Sequence, residues 1–512
     1  MKNLYFNIFL LFLLINLLLT GGRIASSDET ATFLLVESIV TRGSLDVPAG
    51  IVENGSTHNG KFYIWYEMGQ ALLALPLYLV GSGVAAVIHL PEELKTLFLK
   101  AVMGTFNAFV GAAYASLMFA FGRRLGYTVR TSFLLTVALC LSSFAFPYFK
   151  TFLREPLLAL ALLGACYYLE RWSKEVESSR LLILAGIFVG FGTLTRVAFM
   201  IHLPIMFLFI IFVLRQHEHK MKAVIRAISL MSLPVIFFGF GVLWYNYARF
   251  GDPFDLGYGN AGIAFNIPFY TGLFGLLLSP GKGFFYFAPV AVVGIVGFIR
   301  LLKKRSPSAL LWAGLMVVNL LFYCKYFAWG GDGSWGPRYL MALIPFVVLP
   351  VGEIIEEGKA MWQRVVYALI VLGIVIQLGG ATIYAGTYIR EIGEFPFTRS
   401  FYDPEFLYKT HFIPNYSPLV GHWKLAVRNI GEHLSGNQPN LNILKDQQSK
   451  RIPLQEDARP ALSHTLDYWF CYPSYVGIHS IFFVIAPLIL LSIIILQWFR
   501  LKNLLRMTKT NL

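Results

Sequence analysis

The chain has 512 residues, of which 56% are hydrophobic, 16% aromatic and only 14% charged. Soluble domains carry about 25% charged residues, so this composition excludes a soluble globular fold and predicts an all-α polytopic membrane protein. The net charge of +14 does not point to nucleic acid: Lys and Arg fall in short loops between apolar runs, where they orient membrane helices, and form no basic stripe on a polar fold.

A helix needs about 20 apolar residues to cross about 30 Å of hydrocarbon, and shorter runs suffice inside a bundle. Such runs occupy, in chain order, residues 4–19, 97–120, 132–146, 156–169, 181–194, 198–214, 224–245, 284–298, 309–321, 339–351, 365–384 and 480–496. The first, after Lys2, lacks a convincing cleavage site at Ile24-Ala25-Ser26 and is read as a retained helix rather than a signal peptide. A further run, 71–90, is interrupted by Pro76, Gly81 and Gly83. Basic clusters follow at Arg123/Arg124/Arg130, Arg171/Lys174/Arg180, Arg215/Lys220/Lys222/Arg226, Arg300/Lys303/Lys304/Arg305 and Arg500/Lys502/Arg506/Lys509. If 71–90 crossed fully, every later cluster would change sides. Laid in the interface as juxtamembrane helices, it leaves both termini and all the clusters cytoplasmic together. Parity therefore predicts about twelve crossings. It also predicts a membrane domain over 1–385 with its first outer loop at 21–70, a small extracytoplasmic cap over 386–478, and a last helix with a basic tail over 479–512.

Charge is costly beside hydrocarbon, which draws attention to polar groups at the outer helix ends. Asp28 and Glu29 open an amphipathic pattern with Ser26 or Ser27 as cap; they can simply complement the helix dipole, or one can act as a general base. Glu155 precedes Pro156 where an outer turn enters a helix, with Arg154 beside it. Two carboxylates from separate loops, Asp28 and Glu155, could together hold a divalent metal such as Mg2+, Mn2+ or Zn2+. Ser279-Pro-Gly-Lys282-Gly is a tight turn whose lysine and N–H groups suit a phosphate, although it lacks P-loop spacing. In Trp329-Gly-Gly-Asp-Gly-Ser-Trp335-Gly-Pro-Arg338-Tyr339, two tryptophans and Tyr63 of the first loop offer faces to a sugar, and Arg338 could clamp a phosphate. Arg196 and Lys61 are further outer cations. Cys140, Cys166, Cys324 and Cys471 have no metal-ligand spacing, and His58, His202, His411 and His422 form no metal constellation.

Taken in order, these motifs form a pattern: Asp28-Glu29 after the first helix, Gly60-Lys61-Phe62-Tyr63 before Gly69-Gln70, Glu155-Pro156, Asn246-Tyr-Ala-Arg249-Phe-Gly251, Ser279 to Gly283, and Trp335-Gly-Pro-Arg338-Tyr339. The pattern resembles bacterial GT-C glycosyltransferases of the protein mannosyltransferase and aminoarabinose transferase superfamily, over residues 1 to about 385. The resemblance implies a GT-C fold and inverting transfer of a sugar from a polyprenyl-phosphate carrier to a protein, lipid or cell-envelope acceptor, at the outer face of the inner membrane. It implies that Asp28 is the first-loop catalytic acid, with Glu29 beside it, that Glu155 is the second-loop acid, and that Lys282 and Arg338 lie near the carrier phosphate; Arg196 and Lys61 are added as further candidate donor-binding cations. One departure stands out. Where aminoarabinose transferases place a lysine after the first-loop aromatic pair, this chain has Ile64-Trp65-Tyr66. The competing expectations are a lipid-linked oligosaccharide flippase, which calls for polar groups through the middle of the bundle and for internal repeats, and a ligase of whole lipid-linked chains.

Overall fold

The computed structural model describes residues 2–258, 264–304, 306–331, 333–392, 404–441 and 462–510. Arg305, Asp332 and the cap stretches 393–403 and 442–461 lie outside the described residues. What is described is an all-α, multi-pass membrane protein with one β-hairpin. α1 (Lys2–Leu19) leads into α2 (Ser27–Arg42), and the hairpin follows, β1 (Gly55–His58) pairing antiparallel with β2 (Lys61–Ile64). Its turn, Asn59-Gly60, has φ of 51° and 74°, the left-handed pair that a two-residue hairpin requires and Asn-Gly tolerates best.

α3 (Gly69–Val87) and α4 (Glu92–Met103) precede α5 (Phe106–Arg124), α6 (Val129–Cys140), α7 (Ala145–Tyr148), α8 (Glu155–Trp172), α9 (Ser179–Thr195), α10 (Leu203–Gln216) and α11 (Met221–Phe250). The second half holds α12 (Phe269–Leu278), α13 (Phe284–Phe287), α14 (Ala291–Lys303), α15 (Pro307–Tyr323), α16 (Ile344–Val348), α17 (Val351–Glu356) and α18 (Ala360–Thr382). The cap contributes α19 (Ala385–Ile392), α20 (Pro404–Phe412) and α21 (Pro418–Leu434) before the closing helix Phe482–Thr510.

Every run expected to cross contains a helix. Among the described residues seven helices are long and apolar enough to span, and others are shorter. Several expected spans are broken. Run 284–298 divides at Pro289 into α13 and α14, and run 339–351 divides near Pro345 and Pro350, because proline removes a helical donor and crowds the preceding turn. α11 and the closing helix turn Leu233, Ile236, Phe237, Phe240, Leu488 and Ile489 outward as a lipid-facing surface. α8 is enclosed, and α9 meets α11 closely because Gly186 and Gly190 face the carbonyls of Met231 and Pro234.

The run expected to lie in the interface is a helix long and apolar enough to span, α3. It is paired with α4: Gly81 lets Leu99 and Val102 approach to 3.2 Å of where a Cβ would stand. α3 starts against Thr195 at the end of α9. α4 ends at Gly104, beside the carbonyl of Arg23, and Asn107 then donates to the carbonyls of Thr151 and Leu153. The pair leaves from and returns to one pole, as juxtamembrane helices of the first loop would.

That pole carries the first loop, the 149–155 turn and the 279–283 turn. The opposite pole gathers basic clusters on acidic partners: Arg124 with Glu170 at 3.0 Å, Arg300 with Glu357 at 2.6 Å and Lys304 with Glu353 at 2.5 Å. The cap is fastened to the first pole by buried charge. Asp467 accepts from Arg23 Nε and Lys150 Nζ, each at 3.0 Å, and Lys150 also donates to the carbonyls of Ala381 and Asp467. Burial pushes the Asp467 carboxyl up, but Lys150 and Arg23 outweigh it and hold it below the ordinary 3.8. The stabilisation is therefore complete above pH 3.8 and is lost as pH falls through the depressed value. Asp467→Asn leaves the buried Lys150 and the partly buried Arg23 without their carboxylate, and should cost about 3 kcal/mol, measured as a lowered thermal unfolding transition in detergent; an unchanged transition would remove the latch from the account.

Candidate active site

α2 begins with a capping box. Ser26, extended at φ −88° and ψ 160°, accepts from the Glu29 backbone N–H at 3.3 Å, while Glu29 Oε2 accepts from the Ser26 N–H and hydroxyl, both at 2.8 Å. Glu29 Oε1 accepts from the backbone N–H of Phe152 at 2.5 Å. Both oxygens of this buried carboxylate are thus engaged in tying α2 to the turn before α8. Burial nevertheless raises its pKa above the ordinary 4.5, because desolvation exceeds what its donors contribute. The catalytic role expected for Glu29 does not fit this geometry: one residue around the helix from Asp28, it is a clamp.

Asp28 points the other way. Its Oδ1 accepts from the Tyr66 hydroxyl at 2.7 Å and from Asn54 Nδ2 at 3.1 Å, and its Oδ2 faces Arg338 Nη1 at 3.3 Å. The side chain is 29% exposed, against 9% for Arg338. Burial is the largest influence on this carboxyl and pushes it up. Arg338, the Tyr66 hydroxyl, Arg154 and Arg196 together outweigh burial, so its pKa lies below 3.8.

Glu155 opens α8 with Pro156 in the first turn, where a missing N–H costs nothing. Its Oε1 lies 3.5 Å from Arg196 Nη1 and 3.8 Å from Arg338 Nε, while its buried Oε2 has no hydrogen-bond partner among the described residues. Arg196 is brought there because α9 ends at Thr195 and the chain turns extended. Arg338 starts the 3-10 turn Arg338–Leu343, with Nη2 donating to the Tyr339 hydroxyl at 3.1 Å. Gly331 makes room for it: at φ +68°, a Cβ there would sit 2.7 Å from Arg338 Cγ. Tyr339 stacks on Tyr323 at 4.7 Å and lies under Arg196 at 5.1 Å. A small cavity of about 30 Å³ opens among Glu155, Arg196, Arg338, Tyr323 and Tyr339, and is lined further by His202 and Asn319.

The structure therefore brings together Asp28, Glu155, Arg196 and Arg338. Lys282 is close by but on the other side of the 331–335 turn, donating to the Ser334 carbonyl at 2.6 Å beneath the cap. Lys61 lies on the exposed hairpin, 3.8 Å from Asp46. The three aromatic residues expected to stack on sugar are covered. Trp335 donates to Gln377 and packs on Phe287 and His422, Trp329 packs on His411 and Phe412, and Tyr63 packs on Phe250. Burial in an aromatic core satisfies those rings, so their sequence context of glycines signalled close packing rather than exposure. Tyr66, Asn54 and Glu67 were missed. Glu67 accepts from Arg154 Nη1 at 2.7 Å and from the Val197 N–H at 2.8 Å, and Arg154 lies over the Tyr66 ring at 4.2 Å. The departure at Ile64-Trp65-Tyr66 was the one signal that could have marked Tyr66. His411 and His422, expected to be non-catalytic, are buried residues of the cap helices, where burial pushes His422 down to about 3.

Among the described residues no group of three His, Cys, Asp or Glu side chains could hold a metal. The carboxylate pair expected to do so is instead bridged by Arg338, and a divalent ion between them would meet two guanidiniums that already compensate their charge.

No family model and no curated protein matches the chain. Among solved structures it is similar to ArnT from Cupriavidus metallidurans bound to undecaprenyl phosphate, at 12% identity over 93% of this chain and 76% of that one, with a TM-score of 0.47. It is also similar to the same protein in its apo state, at 12% identity over 93% and 75%, with a TM-score of 0.49. The Archaeoglobus fulgidus oligosaccharyltransferase, in complex with zinc and sulfate, is similar at 14% identity over 82% of this chain and 61% of that one, with a TM-score of 0.49. These likenesses are remote in sequence and in superposition.

Tyr66→Phe removes the shortest neutral donor to Asp28, so the carboxyl should titrate higher than in the wild type. Isotope-edited infrared titration of the Asp28 carboxylate reads this, and an unmoved midpoint would show that the phenol does not act on Asp28.

Proposed function

We propose that the chain is a membrane-embedded, inverting glycosyltransferase of the GT-C type, moving a sugar from a polyprenyl-phosphate carrier to an acceptor outside the cytoplasm. The observation that carries the reading is the meeting of Asp28 and Glu155, from loops distant in sequence, on the single guanidinium of Arg338 at one pole of the bundle. In this reading that pole is extracytoplasmic, in the inner membrane, and the basic pole with both termini is cytoplasmic, as the positive-inside rule requires.

Asp28 is the partly exposed, acceptor-only group of the cluster and takes the role of general base. The acceptor hydroxyl gives its proton to Asp28 Oδ2 as its oxygen attacks the anomeric carbon from the face opposite the leaving group. The bond from that carbon to the carrier phosphate oxygen breaks, and its electron pair leaves with the phosphate. Arg338 and Arg196 face the charge that develops there, and preorganised donors of this kind are worth about 3–4 kcal/mol each when removed from comparable sites. Glu155 holds both guanidiniums in position, and Tyr66 with Asn54 orients Asp28. Lys282 supports the 331–335 turn that carries Arg338 rather than touching the phosphate. The leaving-group role that a metal could fill passes to the arginines in this reading. The acceptor is a protein, lipid or cell-envelope glycan, and the cap above the 279–283 and 331–335 turns selects among them.

A flippase reading is less well supported, because the charged side chains described here lie at the two ends of the bundle and not along a path through it.

Transfer of labelled sugar from a polyprenyl-phosphate donor, in membranes containing the protein, tests the assignment. Asp28→Asn should lower the rate at least about 100-fold, the lower bound for losing a positioned base. Near wild-type transfer would reject Asp28 as the base. EDTA should leave the wild-type rate unchanged, and a rate restored only by added Mg2+, Mn2+ or Zn2+ would return the leaving-group role to a metal.

A further inference from the structure

We infer that Arg338 is shared between the enzyme's own base and its donor: the carrier phosphate takes the guanidinium from Asp28, and donor seating is what releases the base. The inference rests on the glycosyl-transfer reading and concerns the regulation of that same site. Arg338 meets Asp28 at 3.3 Å and Glu155 at 3.8 Å through different nitrogens. Neither is the parallel, two-pronged contact of about 2.7–2.9 Å that marks a strong Arg–carboxylate pair. Arg154 and Glu67 beside them do close to 2.7 Å, and Glu67 is completed by the Val197 N–H. That pair is finished; the Arg338 contacts are exchangeable.

Asp28 is also equipped to lose its arginine. Tyr66 and Asn54 hold Oδ1 from the other side, so the carboxylate stays in place when Oδ2 is released. Arg338 is equipped to stay, because its stem is packed against Gly331 and its Nη2 is tied to the Tyr339 hydroxyl. Access falls on the same side, since the Asp28 side chain is 29% exposed and that of Glu155 only 4%.

The charge balance gives the exchange its consequence. The groups facing Asp28 are Arg338 on the 3-10 turn, Arg154 before α8, Arg196 after α9, and the neutral Tyr66 and Asn54 of the first loop, with Glu155 beyond Arg338. Among the described residues Arg154 is paired with Glu67, while Asp28 and Glu155 face Arg338 and Arg196. An arriving phosphate adds negative charge to this set and withdraws the nearest cation from Asp28, and both changes favour proton uptake by that carboxylate. Before the donor arrives Asp28 is an ion-paired, weakly basic group. Once the donor is seated, the acceptor hydroxyl is the proton source at hand. Acceptor activation is thereby confined to the loaded site.

The test is equilibrium binding of a fluorescent short-chain polyprenyl phosphate to the full-length protein in lipid nanodiscs at pH 7.5. Asp28→Asn, although inactive in transfer, should bind the probe about fivefold more tightly than the wild type, the ratio equivalent to one partly exposed ion pair of about 1 kcal/mol. Arg338→Ala should bind at least about tenfold more weakly. In the double variant the gain from Asp28→Asn should disappear, because its origin is the freed guanidinium. If Arg338→Ala does not fold, Arg338→Lys, which keeps charge but not the planar fork, takes its place with the same expected direction. Equal binding by wild type and Asp28→Asn, or a gain that persists without Arg338, overturns the exchange while leaving sugar transfer standing. Failure of the wild type to bind the probe at all overturns both.

Discussion

A guanidinium set between two carboxylates is the interaction on which the pole carrying the first loop depends. Arg338, Glu155 and Arg196 are all nearly enclosed, and an ion withdrawn from water must be compensated locally or it will not remain ionised. That requirement binds together segments that share no local contact in sequence: the start of α2, the start of α8, the end of α9 and the turn after α15. Gly331 is there so that the arginine stem can fit, and Tyr339 so that the head is aimed. The same interaction gives the site its chemical sense. In the proposed transfer reading, an anionic leaving group arriving at these two acids and two arginines redistributes their charges, which couples the base to the phosphate seat.

Around this centre the fold supplies rigidity by a second device, buried polar groups used as fasteners. Glu29 ties α2 to the backbone of Phe152, Glu67 ties the first loop to Arg154 and Val197, and Asp467 ties the cap to Arg23 and Lys150. All three act on the short turn from Phe149 to Glu155 or on its neighbours, so the carboxyl of Glu155 is positioned from several sides at once. In a bundle whose helices gain little hydrophobic energy from one another within lipid, close glycine contacts and such polar fasteners carry the specificity of packing.

The reach of sequence reasoning differs from residue to residue. Asp28 and Glu155 were legible because an acid beside the end of an apolar run is costly wherever it sits. Arg338 and Arg196 were legible as cations at the same ends. Glu29 was not separable from its neighbour, since successive helical residues differ by about 100° in direction and only the capping geometry shows which one faces inward. Trp329 and Trp335 were read as exposed from their glycine-rich surroundings, yet glycine serves burial as well as exposure: Gly275 and Gly380 lie directly against these rings. Glu67 carried no local pattern at all and Tyr66 only the departure at Ile64-Trp65-Tyr66, because their partners are far along the chain.

The sequence by itself determined the class of protein, the approximate helical runs, the separation of basic from mixed-charge poles and the two acids beside the helix ends of one pole. These follow from hydropathy and charge, which are properties of short segments. Only the tertiary structure decided that α3 is one arm of a returning pair, that Arg338 lies between Asp28 and Glu155, and that Lys282 donates to the Ser334 carbonyl instead of joining them. Those outcomes depend on side chains brought within a few ångströms by the packing of many helices, and the balance of buried charge that selects them exists only once the bundle has closed.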